Sequence, residues 1–313
     1  MRKFILLCAS LFTMVLLISA SPVRAQNTMF VSATGSDANG CSENSPCLTF
    51  QGAYSKGSVS QINCLGSGLY GPITITGSLT IDCGAGNVGT IASSSATAIT
   101  ITTSAAATII LRHLALNGLG TTGQFNGISA FSFFSGTLIV EDCMIHGYSA
   151  DAGQGVGINF SPTNGRGLLQ VSNSQIFGNG GGIAVGPASG QIASVTLNKV
   201  ELIGNTDFGL FLTGQGVVAG TMRNSVAGAN GQEGVISVAG QVFFTIEESS
   251  IIANLVNGIQ TTTANASVNV GSSTIGGNGT GVKATAGQII SFGNNQMSVN
   301  AVNGTFTSTV PLQ

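Results

Sequence analysis

The sequence predicts an all-β solenoid, and three observations predict it. An asparagine recurs at Asn179, Asn205, Asn230, Asn254, Asn278 and Asn300, at intervals of 26, 25, 24, 24 and 22 residues. Each lies eight positions after an apolar residue: Val171, Leu197, Met222, Ile246, Val270 and Phe292. A near-constant period in the twenties, built from strand-like pieces, is the signature of stacked coils. Second, apolar side chains alternate within short runs, as in Leu169/Val171, Ile183/Val185, Phe244/Ile246, Val268/Val270 and Ile290/Phe292. Period two means strand. Third, the runs are separated by Gly, Asn and Ser, which suit tight turns. A glycine opens the next run at Gly127, Gly157, Gly182, Gly209, Gly234, Gly258, Gly281 and Gly304.

Strands this short cannot bury a face alone. Stacked coil on coil, each pairs in parallel with its equivalent, and the rise per coil is about 4.8 Å. Like residues then stack on like, and the asparagine column predicts a ladder of side-chain amides bonded up the stack.

Taken in order, residues 1–25 carry Arg2 and Lys3, then the apolar run Phe4 to Ala20, then small residues at Val23 and Ala25. This pattern is that of a secretory signal peptide; a membrane anchor is the alternative, because the run is just long enough to span. No later stretch is long and apolar enough to do so. Without Arg2, Lys3 and Arg24, six basic residues face eleven acidic ones, for a net charge near −5. No basic stripe is present, which argues against a nucleic-acid partner. Export places the protein outside the cell or in the periplasm, where thiols are oxidised. Cys41 and Cys47 flank a short loop that a disulfide would close, with metal binding as the alternative. Cys64 and Cys83, about one early coil apart, could stack and pair. Cys143 falls in the column held by Ser174, Ser225, Ser249 and Ser273, the place of a buried thiol.

Residues 26–58 form an N-terminal segment with a short strand from Met29, a polar turn to Asp37, and a capping helix. Ser45-Pro46 is expected to be the helix N-cap and first turn, with Leu48, Phe50 and Ala53 on one side and the end near Lys56. Residues 59–313 form the solenoid. Its early coils alternate Ile73/Ile75, Leu79/Ile81, Ile99/Ile101 and Ile109/Leu111, and Thr74-Ile-Thr76 stacks on Thr100-Ile-Thr102. Excess length at 147–156 and 161–167 marks loops on one face, where binding surfaces of solenoids usually sit.

The combination of the asparagine column with Thr34-Gly35-Ser36-Asp37, Pro46 and Thr49-Phe50-Gln51-Gly52-Ala53 resembles the right-handed parallel β-helices of the pectate-lyase-like superfamily. The resemblance covers roughly residues 29–310. It implies about ten coils, an internal asparagine ladder and a helix over the open end. The superfamily includes lyases, hydrolases, epimerases, adhesins and non-catalytic proteins. Lyase sites of that type carry calcium-binding acids and a basic residue; polygalacturonase-type D-D and G-H-G segments are absent from this sequence, and N-T-D stands only at Asn205-Thr206-Asp207, where Asn205 belongs to the asparagine column.

Only 6% of residues are charged, against about 25% in an ordinary domain, so where the charges fall is informative. Two adjacent positions per coil hold Asp82, Arg112, Glu141, Asp142, Lys199, Arg223, Glu247 and Glu248, eight of the 17 charges left after residue 25. One reading is an exposed salt-bridge ladder. The other is a glycan site, with Glu141 and Asp142, and Asp151 on the long loop, as acid and base. There Arg112 would hold a uronate carboxylate, with His113 and His146 nearby. Neighbours on a strand face opposite ways, so Glu141 and Asp142 act together only if a turn rotates one. The primary functional expectation is a non-catalytic scaffold contacting a polysaccharide or cell-envelope glycan, without a cofactor. The alternative is a polysaccharide lyase or glycoside hydrolase on an acidic glycan, where a lyase would use calcium.

Overall fold

The computed structural model describes residues 27–84, 86–103, 105–120, 125–131, 135–148 and 155–311. The proposed signal peptide and Asp151 lie outside these residues. The described chain is a parallel β-solenoid. A ten-stranded sheet takes one strand from each coil, from Ile73–Ile75 through Glu233–Ser237 to Val302–Gly304. The remaining strands form one twenty-stranded sheet that bends around a corner. Arg166–Phe177 and Ile192–Ile203 run unbroken through that corner, while other coils split there, as in Gln241–Glu247 and Ser250–Ile252. The apolar pairs of the sequence point inward: Leu169, Val171, Ile183, Val185, Phe244, Ile246, Val268 and Val270 are all buried.

The corner has a simple cause. One residue per coil adopts the left-handed conformation: His113, Asp142, Asn173, Lys199, Asn224, Glu248 and Ser272, with φ between 48° and 56°. Such a residue turns the strand and breaks its in–out alternation. The next residue is a buried serine in most coils. Ser225 Oγ accepts from Val200 N at 3.1 Å, Ser249 Oγ from Ser225 N at 3.2 Å and Ser273 Oγ from Ser249 N at 3.2 Å. Each hydroxyl donates in turn to the carbonyl two residues back, as Ser225 does to Arg223 at 2.6 Å. Buried hydroxyls must be satisfied, and this serine ladder satisfies both the hydroxyls and the backbone at the bend.

The asparagines do the same at the next turn. Asn254 Nδ2 donates to Asn278 Oδ1 at 2.9 Å and to Ala227 O at 3.0 Å, while its Oδ1 accepts from Asn230 N at 3.2 Å and Asn230 Nδ2 at 2.9 Å. The pattern links Asn179, Asn205, Asn230, Asn254, Asn278 and Asn300. Tyr148 starts it, its backbone N donating to Asn179 Oδ1 at 3.1 Å. The coil-opening glycines make room for this ladder. A Cβ on Gly258 would lie 2.6 Å from Gly281 O and 3.0 Å from Asn278 Nδ2.

The structure corrects three expectations. The helix is Phe50–Tyr54 with Thr49 as N-cap, its Oγ1 accepting from Gly52 N at 2.8 Å. Ser45-Pro46 cannot start it, because Cys47 is held extended beside the first strand: Cys47 N donates to Phe30 O at 2.9 Å and Cys47 O accepts from Ser32 N at 2.9 Å. Leu48 is therefore exposed, while Phe50 and Ala53 are buried. In the last coil, Ile289 and Ser291 are buried in place of Ile290 and Phe292, because Val270 pairs with Ser291. One extra residue then enters the corner: Asn295 Oδ1 takes the serine's place, accepting from Ser273 N at 3.0 Å, and Phe292 lies over Gly271. Gly304 stands opposite Val282, one place beyond the glycine column.

Disulfides join Cys41 to Cys47 and Cys64 to Cys83. The second links adjacent coils, because Asn63 pairs with Asp82 and the cysteines follow. Cys143 is a buried free thiol, its pKa pushed up to about 12 by burial.

Candidate functional site

The charged stripe stacks in register. Asp82, Arg112, Glu141, Ser172, Asn198, Arg223, Glu247 and Gly271 pair successively across eight coils. The left-handed corner residue lies beside it, so Glu141 and Asp142 both face outward, with side chains 32% and 43% exposed. The turn does rotate one of the pair. Several of these charges then pair across the coils. Arg112 Nε lies 2.8 Å from Glu141 Oε2, and its Nη1 is 4.0 Å from Asp82 Oδ2. His113 Nδ1 is 2.9 Å from Asp82 Oδ1 and its Nε2 is 3.8 Å from Asp142 Oδ2. Asp82 also accepts from Gly84 N at 2.8 Å. An ionised carboxylate only accepts, so the Nδ1 proton is donated to Asp82. Arg223 pairs with Glu247 further along. His146 is elsewhere, stacked on Phe177 with ring centroids 5.0 Å apart.

The acids of the stripe do not fit a calcium cluster of the lyase type. Asp82 and Glu141 are engaged by Arg112 and His113, and Glu247 by Arg223. Among the described residues no group of three or more His, Cys, Asp or Glu side chains is arranged to hold a metal ion.

A second site has no counterpart in the sequence reading. On the outer face of the ten-stranded sheet, one column runs Thr74, Thr100, Ser129, Asn159, Ala184, Phe211, Ile236, Gln260 and Lys283. Ala184 and Gly186 are small where the coils on either side carry Asn159, Ser161, Phe211 and Thr213. The result is a hollow of about 550 Å³. Its walls include Phe208 and Phe211, stacked at 4.9 Å, and the polar side chains of Asp207, Gln232 and Glu233. The strand Val156–Ser161, which joins the two lengthened loops, contributes the far wall.

Glu233 is the unusual group. It is only 8% exposed, and Asn257 Nδ2 donates to its Oε1 at 3.1 Å. Burial pushes its carboxyl above the ordinary glutamate range; the Asn257 bond pulls it back, the charge of Asp207 adds to the rise, and Lys283 opposes it. Asp207 accepts from Gln232 Nε2. A half-buried apolar wall beside a few fixed polar groups is the usual construction of a small-molecule site. Sequence reasoning missed it because Asp207 and Glu233 are 26 residues apart where the coils repeat at 25, so Asp207 stands level with Gln232 and the two acids share no column; the signal present was the Phe208/Phe211 spacing beside acids in successive coils.

No family model matches the chain, and no curated protein matches it in sequence. Among solved structures, it is similar to pectate lyase Pel9A, with a TM-score of 0.61 and 16% identity over 90% of this chain and 79% of that one. The A-module of the Azotobacter vinelandii mannuronan C-5 epimerase AlgE4 superposes with a TM-score of 0.49 and 14% identity, over 83% of this chain and 93% of the module. At such identities the likeness is one of fold, and the chain has the parallel β-helix fold of a pectate lyase.

Proposed function

We propose that the protein is an exported, non-catalytic β-helix that binds a polysaccharide or cell-envelope glycan, and that the hollow on the ten-stranded sheet is its contact surface. The observation that carries this reading is the stacked Phe208/Phe211 wall beside the side chains of Asn159, Asp207, Gln232 and Glu233. Aromatic rings offer area to the C–H faces of sugars, and amides and carboxyls accept and donate to their hydroxyls. The charged stripe has a structural role in this reading, since Arg112 and His113 sit between Asp82, Glu141 and Asp142 rather than open to a ligand. The leader-like residues 1–25 and the two disulfides support secretion or a periplasmic location. No helix of the described residues is long and apolar enough to cross a membrane.

The test incubates the protein with a polysaccharide panel, with and without calcium, following unsaturated-uronide absorbance and new reducing ends, and measures binding to the same panel. Binding without turnover is expected. Turnover that disappears in Glu141→Gln or Asp142→Asn would instead establish a lyase or hydrolase at the stripe.

A further inference from the structure

Within the reading that the hollow binds a glycan, we propose that it takes an uncharged oligosaccharide and rejects uronate chains. Its charged lining residues are Asp207 and Glu233, both acidic; Lys, Arg and His contribute nothing to the lining. Lys283 is the nearest cation named by the electrostatics of Glu233, and it lies two coils beyond Ile236 in the same outward column, about 10 Å along the stack. A uronate seated against Phe211 would bring its carboxylate beside two protein carboxyls with no cation to pair it. Glu233 is buried, so water screens it weakly, and like charges in such a place disfavour binding strongly.

The same groups suit a neutral sugar. Asp207 and Glu233 offer acceptors to sugar hydroxyls, and Asn159, Ser161 and Thr213 supply neutral polar atoms along the opposite side. Phe211, backed by the buried ring of Phe208, gives the apolar platform, and Ala184 and Gly186 leave the depth for a ring. The site thus differs in charge from one built for an acidic polymer, although the fold is that of a lyase. A divalent ion joining Asp207 and Glu233 to a uronate would reverse the selectivity, and the calcium and chelator arms of the experiment separate that case.

The experiment titrates the protein with neutral hexasaccharides (cello-, xylo-, manno- and chito-series) and with oligogalacturonate and oligoalginate, by calorimetry and saturation-transfer NMR, with calcium and with a chelator. We expect a neutral oligosaccharide to bind, Phe211→Ala to weaken it about tenfold or more, and Ala184→Leu, which fills the hollow from its floor, to weaken it comparably. Circular dichroism verifies the fold of both variants. We further expect uronates to bind only after Asp207→Asn and Glu233→Gln are combined. Uronate binding to the unaltered protein that either hollow variant abolishes, calcium-dependent or not, would overturn the selectivity while leaving the glycan site in place. Neutral binding that neither variant changes would overturn the placement, and no binding by any glycan would overturn both this inference and the reading beneath it.

Discussion

The two halves of the solenoid are held together by different means. In the N-terminal half, successive core positions Ile62, Ile81, Leu111, Val140 and Val171 are 19, 30, 29 and 31 residues apart. There two disulfides, a capping helix and an ion-pair cluster tie the coils. In the C-terminal half, Val171, Leu197, Met222, Ile246 and Val270 are 26, 25, 24 and 24 residues apart. There the disulfides stop, and two side-chain ladders take over. A ladder needs the same turn in each coil, because an amide reaches its neighbour only at one strand spacing. Where turn lengths vary that condition fails, and local staples replace it. Tyr148 marks the junction: its ring is buried at the ladder position, and its backbone N gives the first ladder bond.

The comparison breaks most clearly at the middle of the ladder. Asn254→Ala removes two donors and an acceptor from buried neighbours and should cost about 4 kcal/mol, by the cost of leaving buried polar groups unsatisfied. Denaturant unfolding measures it, and hydrogen exchange should accelerate in the C-terminal coils first. A loss confined to the N-terminal coils would refute the division. Cys64→Ser with Cys83→Ser opens a loop of sequence separation 19 and should cost about 3 kcal/mol on the chain-entropy argument. Here the N-terminal amides should lose protection while the later coils keep theirs.

Acid should act on the same end. Asp37 accepts from Leu48 N and Thr49 N, both at 2.9 Å, and from Thr49 Oγ1 at 2.8 Å. Burial alone would raise its pKa, but these bonds together with the charge of Lys56 lower it below the ordinary value. A lowered carboxylate pKa contributes stability above the unfolded value, near 3.9, that is lost as pH falls through the folded one. Asp37→Asn should therefore destabilise the cap at pH 7, by no more than about 1 kcal/mol because the carboxylate is exposed and solvent screens its charge. The difference from the unaltered protein should shrink below pH 4; a constant difference across that range would discard the account. The smallest effect belongs to the charged stripe. A double-mutant cycle on Arg112 and Glu141 should give under about 1 kcal/mol, as for other exposed pairs.

How much was legible follows from which residues repeat. The period, the inward apolar pairs and the asparagine column are local patterns, and stacking equal coils leaves them one arrangement. The stripe from Asp82 to Glu247 was read in the same register that the strands adopt. The slip at Phe292 was not legible, since a shortened coil with an extra corner residue keeps the same overall spacing to Met297. Nor was the helix start, because Ser45-Pro46 is a good local signal overruled by the pairing of Cys47 with the first strand.

By itself, then, the sequence determined the solenoid, its coil length in the regular part and its ladder column, because each depends on residue type recurring at a fixed interval; the structure decided between the alternatives left open for the cysteines. Only the tertiary structure decided that Glu141 and Asp142 share a face, since a left-handed corner residue, invisible to period-two counting, rotates one of them. It also decided where a ligand finds room. The hollow arises from small residues in one coil lying beside large ones in the next, and from Asp207 and Glu233 meeting across a coil boundary. Such differences between neighbouring coils acquire meaning only when the stack brings them side by side.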